Sequence, residues 1–433
     1  MKNLNLFPDS RLPVLAELGI FLFPLAPGWG AIFVGIQLIR STKHFYKQIL
    51  QERVAWLLGG ISLWLFFVTA ISPYPLDSFL GMANFLPFFL FFLTFSYLLD
   101  RVDRLERMAW LFVVPSSVVA LLGLADIWLG WKTPDFIWSL FGWALTGVGN
   151  PAGRVASTFM YANICAAYLL MCFLLGLGLW LKDFRWQKFT QSKLFLYLTF
   201  TLVIDFVALI LTNSRNVWAI AFLGILIYAI YIGWWWICAF AGGFFAAVLG
   251  ASFGQPPWRD GLRRVIPFYF WGRLSDQMFA GDRPVADLRS TQWQFLGDMI
   301  QRRPITGFGL RSFTPAYETA METWLGHPHN LYLMLTSEMG IPAAGLLIGL
   351  IGWVLAQGVF TWQSLTEKPE KLIMFSYLMA FGGYTLFNLL DVTVLDLRLN
   401  TFAWLLLAGI WGLGKQVNQP RNESQGHSHP EQT

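Results

Sequence analysis

Long apolar runs recur along the whole chain and are separated by short polar segments. A helix needs about 20 apolar residues to cross a bilayer, whereas a buried helix of a soluble protein shows about 10 to 14. Runs near or above the longer length lie at 54–72, 76–99, 108–130, 155–181, 194–213, 216–233, 237–254, 329–360, 372–389 and 398–414. The pattern predicts an all-α integral membrane protein.

The first apolar run, 12–39, leaves two interpretations open. Its length suits one tilted helix, but Pro24, Pro27 and Gly28 in its middle would also permit two short half-helices. We therefore expect about 11–12 transmembrane helices. Because the run lacks a small-residue cleavage site, we expect it to remain in the mature protein.

Composition agrees with the membrane assignment. Hydrophobic residues make up 56% of the 433, charged residues only 13%, and the mean hydropathy is +0.53. Soluble domains have about 45–50% apolar residues. The three cysteines lie inside apolar runs, so neither a disulfide nor a cysteine metal ligand is predicted, and no nucleic-acid partner is expected.

Lysine and arginine in the short connections predict the orientation. The segments 40–53, 100–107 and 182–193 are basic and fall on one face, together with 361–371 and the residues from 415 onward. Basic short loops are cytoplasmic in membrane proteins, so the long loop is expected to face outward. The predicted divisions are N-terminal transmembrane helices (1–254), an extracytoplasmic arginine-rich loop with short helices (255–328), C-terminal transmembrane helices (329–414) and a disordered cytoplasmic tail (415–433).

The cations of the long loop are all arginines. They stand at 259, 263, 264, 273, 283, 289, 302, 303 and 311, and no lysine occurs between Lys193 and Lys368. Arginine binds phosphate or carboxylate oxygens through a planar fork of donors, so the loop suits a diphosphate ligand. The alternative is a salt-bridged, solvated cap in which the arginines pair with Asp260, Asp276, Asp282, Asp287, Asp298, Glu318 and Glu322.

Two stretches of the loop have helical character. Asp287 could cap a helix that runs to about Arg303, since apolar residues recur there at helical spacing and Pro304 would stop it. The stretch from Arg259 to Trp271 would form an amphipathic helix at the membrane surface. The Gly307–Gly309 segment that follows predicts a turn.

The loop ends with two histidines, His327 and His329, directly before an apolar helix. The positive end of the helix dipole favours a neutral imidazole, which can accept a proton, so His329 is a candidate general base with His327 or Asn330 orienting it or the substrate. The alternative is that these residues only cap the helix. A zinc site is disfavoured because no convincing further ligand is spaced to complete it.

Two more arginines lie at the outer ends of predicted spans. Arg215 follows a polar break between two apolar runs, and Arg154 precedes another run. An arginine at that depth is costly unless it is paired, which makes both candidates for a functional site. Either could instead extend its side chain to the interface.

Four blocks of sequence resemble the O-antigen ligase and polymerase family. They are Gly153-Arg154 through Ser157-Thr158-Phe159 and Asn163; Leu211-Thr212-Asn213-Ser214-Arg215; Arg289 through Trp293 to Pro304-Ile305-Thr306-Gly307-Phe308-Gly309; and His329-Asn330-Leu331-Tyr332-Leu333 through Glu338-Met339-Gly340-Ile341. One departure is Tyr161-Ala162-Asn163, where relatives often show Asn-Pro-Asn.

The resemblance implies a multi-pass protein of the bacterial inner membrane that acts as an inverting glycosyltransferase. Such enzymes take a glycan from an undecaprenyl diphosphate carrier and join it to a sugar hydroxyl of a glycan or glycolipid acceptor, without a metal or other cofactor. Carried onto this chain, the catalytic residues are His329 as general base, with Arg289 and Arg215 on the diphosphate. The expected substrate-binding residues are Arg154, Arg263, Arg273, Arg311, His327 and Asn330.

Two other functions remain open. Some relatives are labelled as bicarbonate transporters, and arginines near an outward vestibule could steer an inorganic anion. Against transport, the chain shows no duplication into matched halves and few charges inside its apolar runs. The other alternative is a non-catalytic scaffold of an envelope-assembly complex.

Overall fold

The computed structural model describes residues 12–184, 193–275, 277 and 284–417, and these residues form helices but no strand. Of the disordered tail expected at 415–433, residues 415–417 instead form the end of the last helix, and the rest lies outside the described residues. In chain order the α-helices are α1 (Val14–Leu22), α2 (Pro27–Gln51), α3 (Arg53–Ala70), α4 (Pro75–Gly81), α5 (Leu86–Phe95), α6 (Val102–Trp128), α7 (Asp135–Phe141), α8 (Ala162–Asp183), α9 (Lys193–Leu211), α10 (Arg215–Ile232), α11 (Trp235–Phe253), α12 (Trp258–Val265), α13 (Phe268–Leu274), α14 (Arg289–Arg302), α15 (Phe313–Met321), α16 (Leu331–Ser364), α17 (Lys368–Phe387) and α18 (Leu397–Val417). Short 3-10 helices lie at Met82–Asn84, Ser157–Phe159 and Val285–Asp287.

The all-α membrane fold is confirmed. Among the described residues, 9 helical segments are long and apolar enough to cross a membrane: α3, α4 with α5, α6, α8, α9, α10, α11, α16 and α18. They coincide with nine of the ten expected runs outside the first, although the run expected at 155–181 becomes helical only at Ala162. The remaining run, 372–389, forms α17, which packs against α8 without reaching the same apolarity.

The first apolar run is broken into two helices. α1 has 9 residues and α2 has 25, and the chain turns between Phe23 and Ala26. Pro27 is the first residue of α2, where its missing N–H is harmless to the new helix. The two helices pack closely where a Cβ on Gly19 would lie 2.7 Å from Val34. One continuous tilted helix is therefore not what this sequence forms.

The interior of the bundle lies around α8 and α18. In their most apolar windows, 78% of the α8 residues and 89% of the α18 residues are buried, whereas the value for α11 is 17%. α11 therefore lies at the periphery and leaves most of its apolar surface for lipid. Tyr377 of α17 donates a hydrogen bond to the Leu105 carbonyl of α6, and Tyr168 of α8 donates one to the Phe112 carbonyl. These bonds join the central helices.

We call the end of the bundle that carries the described residues between 254 and 330 the loop side. The connections 129–161, 212–214 and 388–396 reach the same end, because their residues contact one another or the long loop there. Which side of the cell membrane this end faces stays a prediction. The loop side is the end where the candidate chemistry of the sequence is concentrated.

The structure corrects both helices expected in the long loop. The stretch from Arg259 to Trp271 forms two helices, α12 and α13, because Ile266 is extended before Pro267. A proline disfavours helical backbone in the residue that precedes it, so one continuous helix was the wrong expectation. The second helix, α14, ends before Pro304 as expected, but its N-cap is Leu288, which makes no side-chain capping bond, rather than Asp287.

The turn at Gly307–Gly309 crosses α16 where that helix is broken. The Phe308 and Gly309 N–H groups donate to the carbonyls of Ser337 and Glu338 at 3.0 and 2.8 Å. Gly340 interrupts the helix with φ 80° and ψ 158°. The loop thereby satisfies carbonyls that the broken helix leaves without an intrahelical partner. This crossing fixes the loop on the bundle.

Replacing Gly340 with alanine is expected to lower the free energy of unfolding by at least about 2 kcal/mol. The backbone there is left-handed, and a Cβ would collide with the Ile305 carbonyl oxygen. Gly345→Ala in the same helix is the matched control, because a Cβ there meets nothing within 4 Å. Thermal unfolding of both purified variants checks this expectation. Equal melting temperatures for the two would contradict it.

Candidate functional site

A cavity of about 580 Å³ opens on the loop side. We call it the arginine cavity, because Arg154, Arg215, Arg273 and Arg289 all line it. His329 lines the same space. The structure therefore brings together five residues that the sequence singled out, although they are spread over 175 positions of the chain (154 to 329).

Three long helices begin at this cavity. Ser214 and Leu288, the N-caps of α10 and α14, line it, and His329 precedes Asn330, the N-cap of α16. A helix N-terminus carries partial positive charge and unpaired N–H groups, which together favour anions. Their convergence adds to the charge of the arginines. The cavity is therefore suited to a ligand with several negative charges.

Arg154 is held by a buried hydrogen-bond network. Its Nε donates to the Thr212 carbonyl and its Nη2 to Asn163 Oδ1, both at 2.7 Å. Asn163 Nδ2 in turn donates to Asp391 Oδ2 at 2.7 Å. Burial lowers the pKa of Arg154, while the Asp391 charge opposes that shift. The network fixes Arg154 relative to Asp391, which is 228 positions away from Asn163.

Arg273 reaches the cavity from α13. Its Nε and Nη2 donate to the Asn213 carbonyl at 3.3 and 3.2 Å. Together with Arg154 it covers the carbonyl end of α9, where the helix dipole is negative. The positive charge of these two arginines is therefore partly offset by carbonyl groups of the protein.

Arg215 and Arg289 are placed differently from the other two arginines. Each is the first residue of its helix, α10 and α14. Each therefore adds its guanidinium to a helix N-terminus, the arrangement that serves phosphate binding in many proteins. The fork of donors on either side chain could bind two oxygens of one phosphate at once.

Two histidines and a buried carboxylate adjoin the arginines. Asp391 lies in the turn between α17 and α18 and is 2% exposed. His329 Nδ1 and His327 Nε2 each lie 3.7 Å from Asp391 Oδ1, somewhat longer than a direct hydrogen bond. No partner within hydrogen-bonding distance is present for the buried His329 Nδ1 among the described residues. The backbone of His329 is left-handed, with φ 52°.

The ionisation of this cluster follows from its surroundings. Burial lowers the pKa of His327 to about 4, so this imidazole is neutral at pH 7. For Asp391, burial acts to raise the pKa, but interaction with His329 and His327 outweighs it and the pKa is lowered. Asp391 is therefore ionised throughout the neutral range. A negative carboxylate faces Nδ1 of His329, which leaves Nε2 for a ligand.

His327, His329 and Asp391 could also hold a metal ion by distance alone, since their ligand atoms lie within 4.8 Å of one another. The same space is lined by four arginines. Their positive charge opposes a divalent cation at this position. The surroundings of these side chains therefore favour proton transfer over metal binding.

Four other expected substrate-binding residues lie outside the lining of the arginine cavity. Arg263 stacks on Trp271 at 4.0 Å and donates to the Ala251 carbonyl. Arg311 lines a second cavity, described below. His327 contacts Asp391 as described, and the Asn330 side chain accepts a bond from the Leu333 N–H at 2.9 Å and caps α16.

The structure supports only in part the alternative that the loop arginines form a salt-bridged cap. Arg259 forms the expected kind of ion pair, with Asp260 at 3.1 Å. Arg303 instead lies over the Phe308 ring at 4.9 Å and donates to the Ile71 carbonyl. The loop arginines therefore serve different purposes, and those of the cavity form a separate group.

Sequence reasoning missed Asp391 as a site residue. The available signal was a carboxylate at the end of an apolar run, since Asp391 follows the run 372–389 by two positions. Asn163 stood in one of the family blocks but had no assigned role. The contact between the two residues joins distant parts of the chain and could not be inferred from spacing.

Part of the chain is similar in sequence to known proteins. Residues 200–348 match the family model described as "O-Antigen ligase". A stretch of 150 residues is 28% identical to a Rickettsia conorii protein named "Putative polysaccharide ligase". That alignment covers 32% of this chain and 33% of the relative, so it spans about a third of each. Arg215, Arg289 and His329 fall inside the segment that matches the family model, whereas Arg154 and Asp391 lie outside it.

Proposed function

We propose that this chain, whose residues 200–348 match the O-antigen ligase family model, is a membrane glycosyltransferase. It transfers a glycan from an undecaprenyl diphosphate carrier to a hydroxyl of an acceptor sugar, at the outer face of the inner membrane. The observation that carries the proposal is the convergence of four arginines and His329 in one cavity.

The arginine cavity supplies what a diphosphate leaving group requires. As the bond between the anomeric carbon and the diphosphate oxygen breaks, its electron pair passes to the diphosphate and negative charge grows there. Fixed donors that point at developing charge lower the barrier most effectively when they need no rearrangement. Arg215 and Arg289, each on a helix N-terminus, are the donors we assign to this role.

His329 is the general base of the proposed reaction. Its Nε2 takes the proton of the acceptor hydroxyl as that oxygen forms a bond to the anomeric carbon. Asp391 faces Nδ1 and stabilises the imidazolium that results, so it is a positioning residue. Attack opposite to the leaving diphosphate inverts the anomeric configuration.

Asp391→Asn is expected to lower kcat at least about tenfold, because the imidazolium loses its nearest negative charge. The loss should be present across the neutral pH range, because Asp391 has a lowered pKa and is therefore charged there in the parent. Asp135→Asn, an exposed carboxylate on the same side, is the control. If Asp391→Asn kept the kcat of the parent, Asp391 would not have the role assigned to it.

The test of the function is transfer by the purified protein in liposomes, with a lipid-linked glycan and a candidate acceptor. We expect a glycosylated acceptor and free undecaprenyl diphosphate in equal amounts, with EDTA present or absent. Uptake of labelled bicarbonate into the same liposomes tests transport. Bicarbonate uptake without transfer would replace this proposal with a transporter.

A further inference from the structure

A second cavity, of about 370 Å³, lies on the loop side between α4, α15 and α16. Its polar lining differs from that of the arginine cavity. Asp77, Glu318 and Glu338 line it together with one arginine, Arg311. Asp77 and Glu318 outnumber the single arginine and oppose phosphate binding, so this cavity is less suited than the arginine cavity to the diphosphate of the donor.

An exposed tryptophan stands at the rim of the second cavity. The Trp324 side chain lines this cavity and is 68% exposed, so its ring is accessible to a ligand. Tryptophan offers a flat apolar face, and carboxylates accept hydrogen bonds from hydroxyl groups. A sugar ring has the complementary surface, with C–H groups on its faces and hydroxyls around its edge. The lining therefore fits an uncharged sugar.

The back wall of the cavity is the buried carboxyl group of Glu338. Glu338 is 2% exposed, and its Oε1 accepts a bond from the Phe313 N–H at 3.3 Å. Glu338 also belongs to the part of α16 on which the Gly307–Gly309 turn is fixed. The acidic groups here do not gather within metal-ligand distance of one another among the described residues, whereas the histidine cluster does. Hydroxyl binding is the chemistry that remains for them.

The two cavities share two pieces of backbone. Gly326 lines the second cavity and His329 the arginine cavity, and three residues span at most about 11 Å. In the turn before α18, Leu395 lines the second cavity and Asp391 the arginine cavity. A sugar bound in the second cavity would thus lie near the proposed general base.

We propose that the second cavity binds the acceptor glycan, with Trp324 stacking on an uncharged sugar ring and the acidic side chains accepting its hydroxyl hydrogens. This inference rests on the proposed transfer reaction and deepens it. In-line displacement requires the acceptor hydroxyl and the diphosphate on opposite sides of the anomeric carbon. An acidic cavity separate from the arginine cavity, and joined to it by residues 326–329, could hold the acceptor apart from the diphosphate in this way.

Trp324→Ala is expected to raise the KM for the acceptor about tenfold while the donor KM and kcat stay within about twofold. Trp324→Phe keeps a stacking face and should restore most of the acceptor affinity. Trp258→Ala is the matched control, because Trp258 is an exposed loop tryptophan that lines neither cavity. An unchanged acceptor KM in Trp324→Ala, or a raised donor KM, would overturn the proposal.

A binding measurement separates this inference from the proposed function. The probe is the oligosaccharide released by mild acid from the envelope glycolipid of the source organism, observed by saturation-transfer NMR with the full chain in nanodiscs. We expect saturation-transfer signals from the oligosaccharide with the parent and with Arg215→Ala. With Trp324→Ala we expect these signals to be lost. If the parent transfers no glycan but shows these signals, only the proposed reaction fails. Absent signals in the parent, or equal signals in Trp324→Ala, overturn the sugar site.

Discussion

His329→Ala should lower kcat for glycan transfer by about 10²- to 10⁴-fold, the range that a positioned general base contributes. The donor KM should change little, because the four arginines of the cavity remain in place. This separation of kcat from KM identifies a residue that acts on the reacting proton rather than on binding. Initial rates of transfer at varied donor concentration measure both quantities.

His44→Ala is the matched control for that variant. His44 is exposed on α2, and its loss should leave transfer unchanged. Folding of His329→Ala is checked by its thermal unfolding, since the imidazole is also packed against Asp391. If a well-folded His329→Ala protein kept more than a tenth of the parent kcat, His329 would not be the general base.

The second large effect is expected for Arg215 and Arg289. Alanine at either position should lower kcat/KM for the donor about 10²- to 10³-fold, because fixed charge at the leaving diphosphate is lost. Lysine should restore little, since it lacks the planar fork that binds two phosphate oxygens at once. Transfer rates and inhibition by inorganic pyrophosphate check both expectations, and the variants should lose sensitivity to pyrophosphate.

Arg302→Lys provides the control for the arginine variants. Arg302 lies at the other end of α14 from Arg289, is exposed and lines neither cavity. Its replacement should leave transfer and pyrophosphate inhibition unchanged. If Arg289→Lys behaved like Arg302→Lys, bidentate phosphate binding at the start of α14 would be excluded.

Much of the fold was predictable because the bilayer imposes a length on each apolar run. The apolar runs alone were enough to predict α9, α10, α11 and α16. The breaks were harder to infer. Pro267 divided an expected loop helix, and Gly340 interrupts α16 where the Gly307–Gly309 turn crosses it, a contact between distant segments.

The sequence predicted those site residues whose type and position by themselves indicate a function. Arginines without lysines, and a histidine before an apolar helix, were visible in the sequence and converge in one cavity. Asp391 and the second cavity were not visible, because each depends on which loops the helices bring together. A carboxylate gains its role from a histidine 62 positions away (391 − 329), and that pairing belongs to the tertiary structure.

The proposed mechanism requires the diphosphate to bind in the arginine cavity beside His329. An experimental structure of the chain in nanodiscs with undecaprenyl diphosphate bound shows whether it does. We expect the phosphate oxygens within hydrogen-bonding distance of Arg215 and Arg289, with His329 facing the position of the anomeric carbon. A diphosphate bound elsewhere, with the arginine cavity unoccupied, would contradict the account.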